Sequence, residues 1–442
     1  MKLHPASRAD VVVVVPVFAA AAASFGVVGA DARWLAAVGA TIADGHLVHS
    51  VPYASAPTSG WVNAPVLGEL LFHWLWALLG ERGLILAQVV AVLAAFLALA
   101  RGLRRETEES AAVTAVLFFV LVGSLPSVLV ARNQLFSLVA FALLLLLLEQ
   151  ESRFPSPRIW LAVPLLALWA NLHGAVLVGF ALLAVYIVIA RWRALPVLAA
   201  AALALCATPE LLHTPRYYAA VAENEAARMG VGLWTPLGLS LFDVLFVLAA
   251  LALLVSATWP ASRSWHAWEA VAVVGLAAAS VHAARLGVWL LFVAAYPAAR
   301  SLHVQRSSTI RMLVPEVLAL VAAGGIAVTH FDAGSRALAR VAAQSGVPVL
   351  AGPVAAEQVA VEGGTVWVAN PLEAFRHRDQ RLYLDWAAGK PRGRAAVEHA
   401  RLVLVLDQSA AGRVAARDRR LVVLRRTSNA VLYRVRGRET YR

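Results

Sequence analysis

The chain has 442 residues, 61% of them hydrophobic and 14% charged, with a net charge of +12 and a mean hydropathy of +0.72. Soluble domains carry about 25% charged residues, so the composition excludes a water-soluble enzyme or a nucleic-acid-binding module as a description of the whole chain. Cys206 is the only cysteine, which excludes an intrachain disulfide and a cysteine-rich metal site.

In chain order, the first apolar run, 11–29, follows Lys2 and Arg8 and resembles a signal peptide. Ala30-Asp31-Ala32-Arg33 makes a poor cleavage site, however, and more apolar runs follow, so it reads as a retained first helix. Further runs lie near 84–100, 111–130, 134–148, 159–172, 174–190, 194–208, 239–258, 269–284, 286–299 and 312–329. Crossing a hydrocarbon layer of about 30 Å takes roughly 20 helical residues, and lipid offers backbone amides no partners outside the helix. The runs therefore predict an α-helical polytopic membrane protein with about eleven spans. Stretch 62–80, with Glu69, His73 and several tryptophans, reads as a helix lying in the interface.

With the N-terminus cytoplasmic, the inside loops carry Arg101, Arg104, Arg105, Arg153, Arg158, Arg191, Arg193, Arg263, Arg300, Arg306 and Arg311, besides Lys2 and Arg8. The outside loops carry chiefly Arg33, Arg82, Arg132, Arg216 and Arg228. That asymmetry follows the positive-inside rule. It puts loops 31–83 and 209–238 and the tail on the extracytoplasmic side of the plasma membrane. The expected division is a transmembrane domain over 1–330, with interfacial helices in 31–83, and a small α/β domain over 331–442.

In the tail the apolar segments shorten to strand length, at 347–350, 365–369, 402–406, 421–424 and 430–435. A helix is predicted over 371–388, opened by Asn370-Pro371 and stopped by Gly389. Residues 332–442 carry eighteen arginines and Lys390 against ten acids. So basic a domain either rests on anionic lipid headgroups, grips an anionic lipid-linked substrate, or simply presents a solvated surface.

Ionisable groups at membrane depth are costly, so they mark candidate sites. Asp31 at the outer end of the first helix could act as a general base, or pair with Arg33. Glu69 and His73, four apart, share a helix face and form an acid/base or substrate-gripping candidate. Asp44, His46 and His49 could hold a divalent metal but lack a fixed helical spacing, so no metal or other cofactor is assigned. Arg132, with Asn171 and His173, suits a phosphate pocket; alternatively Asn171 and His173 satisfy backbone groups at a tight reversal. Arg285, between two apolar runs, suits an anion.

These residues, in this order, resemble the GT-C class of polytopic glycosyltransferases, in particular bacterial members related to the protein mannosyltransferase-like and aminoarabinose-transferase-like enzymes. The resemblance rests on Asp31–Trp34, the loop 39–70, RNQLF at 132–136 and LWANLHG at 168–174, and on ARLGVWLLFVAAYP at 284–297, and it spans roughly 10–330. Relatives often carry Trp-Trp-His after the aspartate, where this chain has Arg33-Trp34-Leu35. The resemblance implies transfer of a sugar from a polyprenyl-phosphate carrier to an acceptor on the outer side. It further implies Asp31 as base, interfacial helices at 32–43 and 64–78, and Arg285 with Arg132 on the donor phosphate. Two other readings remain open: a transporter or flippase of an anionic lipid-linked substrate, and a non-catalytic assembly protein whose tail binds a partner.

Overall fold

The computed structural model describes residues 8–58, 60–258, 265–302 and 333–437. The expected span at 312–329, with Lys2, Arg263, Arg306 and Arg311, lies outside them. Contacts divide the chain into two compact units. One comprises Met1–Val27, Glu81–Thr208 and Gly230–Thr329; the other comprises Val28–Gly80, Pro209–Met229 and His330–Arg442.

In the first unit, every apolar run up to residue 301 is helical: α1 (Arg8–Ser24), α4 (Glu81–Glu106), α5 (Ser110–Gly123), α6 (Leu125–Leu129), α7 (Gln134–Arg153), α8 (Ala162–Ala170), α9 (Val176–Ala190), α10 (Leu195–Ala204), α13 (Leu241–Thr258), α14 (Ala267–His282) and α15 (Gly287–Ser301). Among the described residues, α4, α7 and α13 are long and apolar enough to cross a membrane by length and composition. Others are shortened because the runs break: a 3-10 turn, Pro157–Leu161, precedes α8, and Ser124 separates α5 from α6.

Helix α15 is apolar all round, as a helix enclosed by others must be. Trp289, Leu291, Phe292 and Tyr296 are buried, and Phe141 of α7 packs on Trp289 with ring centroids 4.8 Å apart. At one end of this bundle Arg300 meets Glu106, Glu149 and Glu269, while Arg153 pairs with Glu106 and Arg191 with Glu151. The C-terminal ends of α4, α7 and α15 therefore lie together. Arg132 and Arg285, just before α7 and α15, lie at the opposite ends of those two helices.

The second unit gathers three distant stretches around one core. Val38 and Ile42 of α2 (Ala30–Ala43), Tyr53, Trp61 and Val66 of α3 (Val66–Leu79) pack with Leu338, Val349, Val359, Leu404 and Leu432 from the tail. The tail forms a four-stranded sheet of order β1-β2-β4-β3, with β1 (Val349–Ala351), β2 (Leu402–Leu406), β3 (Leu421–Arg426) and β4 (Ala430–Val435). β1 and β2 are parallel, and β4 pairs antiparallel with both β2 and β3. The covering helices include α16 (Ala333–Gln344), α17 (Pro353–Val361) and α18 (His377–Ala387).

Two tail expectations change. Segment 365–369 is extended but not a ladder strand, because its backbone groups are divided between two neighbours. The Val366 N–H donates to Tyr53 O at 2.8 Å, and the Trp367 N–H to Val349 O at 2.9 Å. The helix expected from residue 371 starts at His377. The Asn370 amide donates to Glu357 at 2.6 Å instead of capping, and Phe375, in extended backbone, is buried.

α2 and α3 cross at Gly39, where an added Cβ would fall inside the contact radius of the Glu69 carbonyl oxygen. A backbone atom cannot swing aside. Gly39→Ala should therefore lose about 1–3 kcal/mol, read as a lowered thermal midpoint. Gly275→Ala, within α14 and with open space around it, should gain about 0.5–1 kcal/mol from helix propensity.

Candidate functional site

Each unit holds a cluster of polar groups that folding takes out of water. In the bundle, His173 sits in the turn between α8 and α9. Its Nδ1 is 2.7 Å from Ser137 Oγ, and that hydroxyl accepts from the Trp169 indole at 2.7 Å. The Ala175 N–H also points at Nδ1, at 3.4 Å. With the Ser137 oxygen already taken by the indole, its proton goes to Nδ1. This pattern assigns the tautomer with the proton on Nε2. Desolvation, then the positive charges of Arg285 and Arg132, push the His173 pKa down to about 3, so the imidazole is neutral at physiological pH.

Arg285 and Arg132 thus both lie within electrostatic reach of His173. The Arg285 guanidinium stacks over the Trp234 ring at 4.2 Å, which fixes the plane of its donor fork. Arg132 Nε is buried and has no hydrogen-bond partner among the described residues. Asn171 is not part of this group: its amide donates to Ala167 O at 2.9 Å and Ala207 O at 2.5 Å, so it satisfies backbone carbonyls at the reversal. The sequence reading missed Ser137, Trp169 and Trp234, each of which is an ordinary apolar-helix or loop residue until the fold brings it to the His173 network or to Arg285.

In the second unit, Asp31 lies half-buried in the first turn of α2. Arg33 is buried and donates to Val28 O at 3.3 Å. From α17, Glu357 comes close to Asp31. It is fully buried, and burial followed by the negative charge of Asp31 pushes its pKa well above the usual carboxylate range, against the Asn370 amide, Arg33 and the Trp34 N–H. Tyr53 donates to Asn370 O at 2.6 Å, joining the loop after α2 to the same network.

Glu69 and His73 do not pair. Glu69 is fully buried and accepts from the Asn63 amide at 2.6 Å, while no hydrogen bond joins it to half-buried His73 among the described residues. Burial pushes Glu69 up to about 8 and half-buried Glu373 up to about 7. Glu69 Oε1 and Asn63 Oδ1 are both buried acceptors without partners among the described residues, and a protonated Glu69 has a donor to offer where the carboxylate has none. Of the loop histidines, His49 lies 3.4 Å from Glu210, and Asp44 and His46 are exposed. Glu357 and Glu373 were missed by the sequence reading. The signal available was a lone acid in the apolar helix PVAAEQVAV.

A carboxyl whose folded pKa exceeds its unfolded value binds protons preferentially in the native state. Its stabilising contribution is complete below about pH 4.5 and is lost as pH rises to about 8 for Glu69. Thermal midpoints should therefore fall by several degrees from pH 5 to pH 8.5, and Glu69→Gln should remove a large part of that slope while Glu373 retains its share. Equal slopes for the two proteins would remove Glu69 from the account.

The chain thus runs as a bundle of apolar helices interrupted by a pair of helices that pack on a small α/β tail. No protein-family model matches the chain, and no curated protein does. Seven solved chains match. Among them is ArnT from Cupriavidus metallidurans, solved bound to undecaprenyl phosphate: it is 14% identical, with a TM-score of 0.55, over 96% of this chain and 97% of that one. The two share a fold.

Proposed function

We propose that the protein is a plasma-membrane glycosyltransferase that takes a sugar from a polyprenyl-phosphate donor and passes it to a hydroxyl acceptor on the extracytoplasmic face. The observation that carries this reading is the grouping of Arg132, His173 and Arg285 next to the starts of apolar helices, in a chain with the GT-C fold along nearly its whole length. A guanidinium pair in a low-dielectric setting suits a lipid phosphate, and His173 adds a neutral Nε2–H donor.

In the proposed step the acceptor oxygen bonds the anomeric carbon of the sugar as Asp31 takes its proton. The bond from that carbon to the phosphate oxygen breaks, and the electron pair leaves with the polyprenyl phosphate. Arg285 and Arg132 balance the growing charge on that phosphate. The arginine-rich ends of α4, α7 and α15 are then cytoplasmic, and the unit built from Val28–Gly80, Pro209–Met229 and the tail is extracytoplasmic.

The test is transfer by the purified chain in a lipid nanodisc. It should release polyprenyl phosphate from a labelled polyprenyl-phosphate hexose, and a protein that neither binds nor consumes such donors is not this enzyme. Orientation is checked separately: Arg417→Cys, an exposed tail position, should react with impermeant maleimide from outside the cell in a Cys206→Ala background.

A further inference from the structure

The second unit holds a cleft of about 610 Å³ lined by Met229, Arg381, Asp385, Lys390, Pro391 and Arg392. Its volume falls in the range of small-molecule sites, and none of these residues enters the transfer step described above.

The walls are fixed by identifiable devices. One wall is α18, the other α12 (Glu225–Met229), which follows α11 (Thr214–Glu223). The Glu225 N–H donates to Gln380 at 2.8 Å, and its carboxylate meets His377 at 3.2 Å and Arg381 at 3.3 Å. The floor is the turn that follows α18. Gly389 there adopts φ +72°, a conformation other residues enter only with strain. Its missing Cβ would press on Ala410 O at 2.9 Å, and that of Gly393 on the Trp386 backbone. Between these pinned glycines the Lys390 N–H donates to Asp385 O at 2.8 Å, and the Lys390 ammonium reaches the Asp385 carboxylate at 3.1 Å.

The charge balance of this lining is one-sided. Glu225 answers Arg381 and Asp385 answers Lys390, which leaves the charge of exposed Arg392 without an ion pair among the described residues. Beside the cations lie two apolar surfaces, Met229 and Pro391. Cations alone suit inorganic phosphate, but the volume and the apolar surfaces call for something larger with one anionic group and an apolar ring face. We propose that this cleft binds a phosphate-bearing sugar, with Arg392 and Lys390 on the phosphate and Met229 and Pro391 against the ring. Soluble and lipid-carried sugar phosphates share this chemistry. The proposal does not depend on the transfer reaction.

The experiment uses the full chain in nanodiscs. In the first arm, hexose 1-phosphate, inorganic phosphate and the uncharged hexose are titrated into the native protein and into Lys390→Ala/Arg392→Ala. The second arm repeats this with a short-chain prenyl-phosphate hexose, in an Arg132→Ala/Arg285→Ala background so that the bundle does not contribute. Loss of charge-assisted hydrogen bonds should raise Kd for the sugar phosphate by about tenfold or more, with the thermal midpoint unchanged and the hexose bound weakly throughout. Weakening in the first arm identifies a soluble ligand, and weakening in the second alone a lipid-carried one. Binding indifferent to the substitutions in both arms, equal binding of the uncharged hexose, or no binding at all overturns the proposal.

Discussion

Asp31→Asn is expected to lower turnover by about 10²–10⁴-fold, the range lost with a general base, while donor affinity stays within about twofold. The substitution keeps the size of the side chain and removes its ability to accept a proton, so an effect on kcat with little effect on KM reports chemistry and not folding. Glu357 supplies a second readout. Fully buried Glu357, beside Asp31, is pushed toward its protonated form by burial first and by the negative charge of Asp31 next. Glu357→Gln preserves that neutral state and should leave turnover within a fewfold of native. Glu357→Ala opens a cavity beside the first turn of α2 and should lower it further. An Asp31→Asn protein with native turnover would remove the base from the scheme and leave the phosphate-binding cluster standing.

The legible parts of this chain are those fixed by local pattern. Strands at 402–406 and 430–435 coincide with β2 and β4, because short runs of branched aliphatics with turn residues at each end leave few alternatives. The helices at 32–43 and 64–78, which come from the family resemblance and not from local pattern, emerge as α2 and α3 within two residues at each end. Arg132, His173 and Arg285 each stand out singly in the sequence as costly groups beside apolar runs, but their gathering does not follow from local pattern. What could not be read is what arises between distant segments. The bond from Tyr53 to Asn370 joins positions 317 apart in the chain, and the approach of Glu357 to Asp31 depends on α17 packing on α2. Helical spacing puts Glu69 and His73 on one face but does not decide their partners: Asn63, in the preceding loop, donates to the Glu69 carboxylate.

Arg285→Ala should cost transfer about 10²–10³-fold in kcat/KM, the loss seen when a donor aimed at developing charge is removed. Arg285→Lys should recover little, because an ammonium neither stacks flat on Trp234 nor offers a planar fork to two phosphate oxygens. Trp234→Ala should give an intermediate loss, since the guanidinium remains but loses the surface that orients it. A readout independent of activity comes from His173. Its pKa is held near 3 by desolvation first and by Arg285 and Arg132 next, so deleting the Arg285 charge must raise it, whereas a phosphate bound to both guanidiniums must raise it in the native protein as well. Following the His173 ring proton by NMR against pH, with and without a short-chain prenyl phosphate, therefore separates two roles. If ligand raises the native value and leaves Arg285→Ala unchanged, Arg285 is the phosphate ligand. If Arg285→Ala loses activity while ligand still moves His173 as in the native protein, Arg285 acts by holding the turn before α15, and Arg132 carries the phosphate.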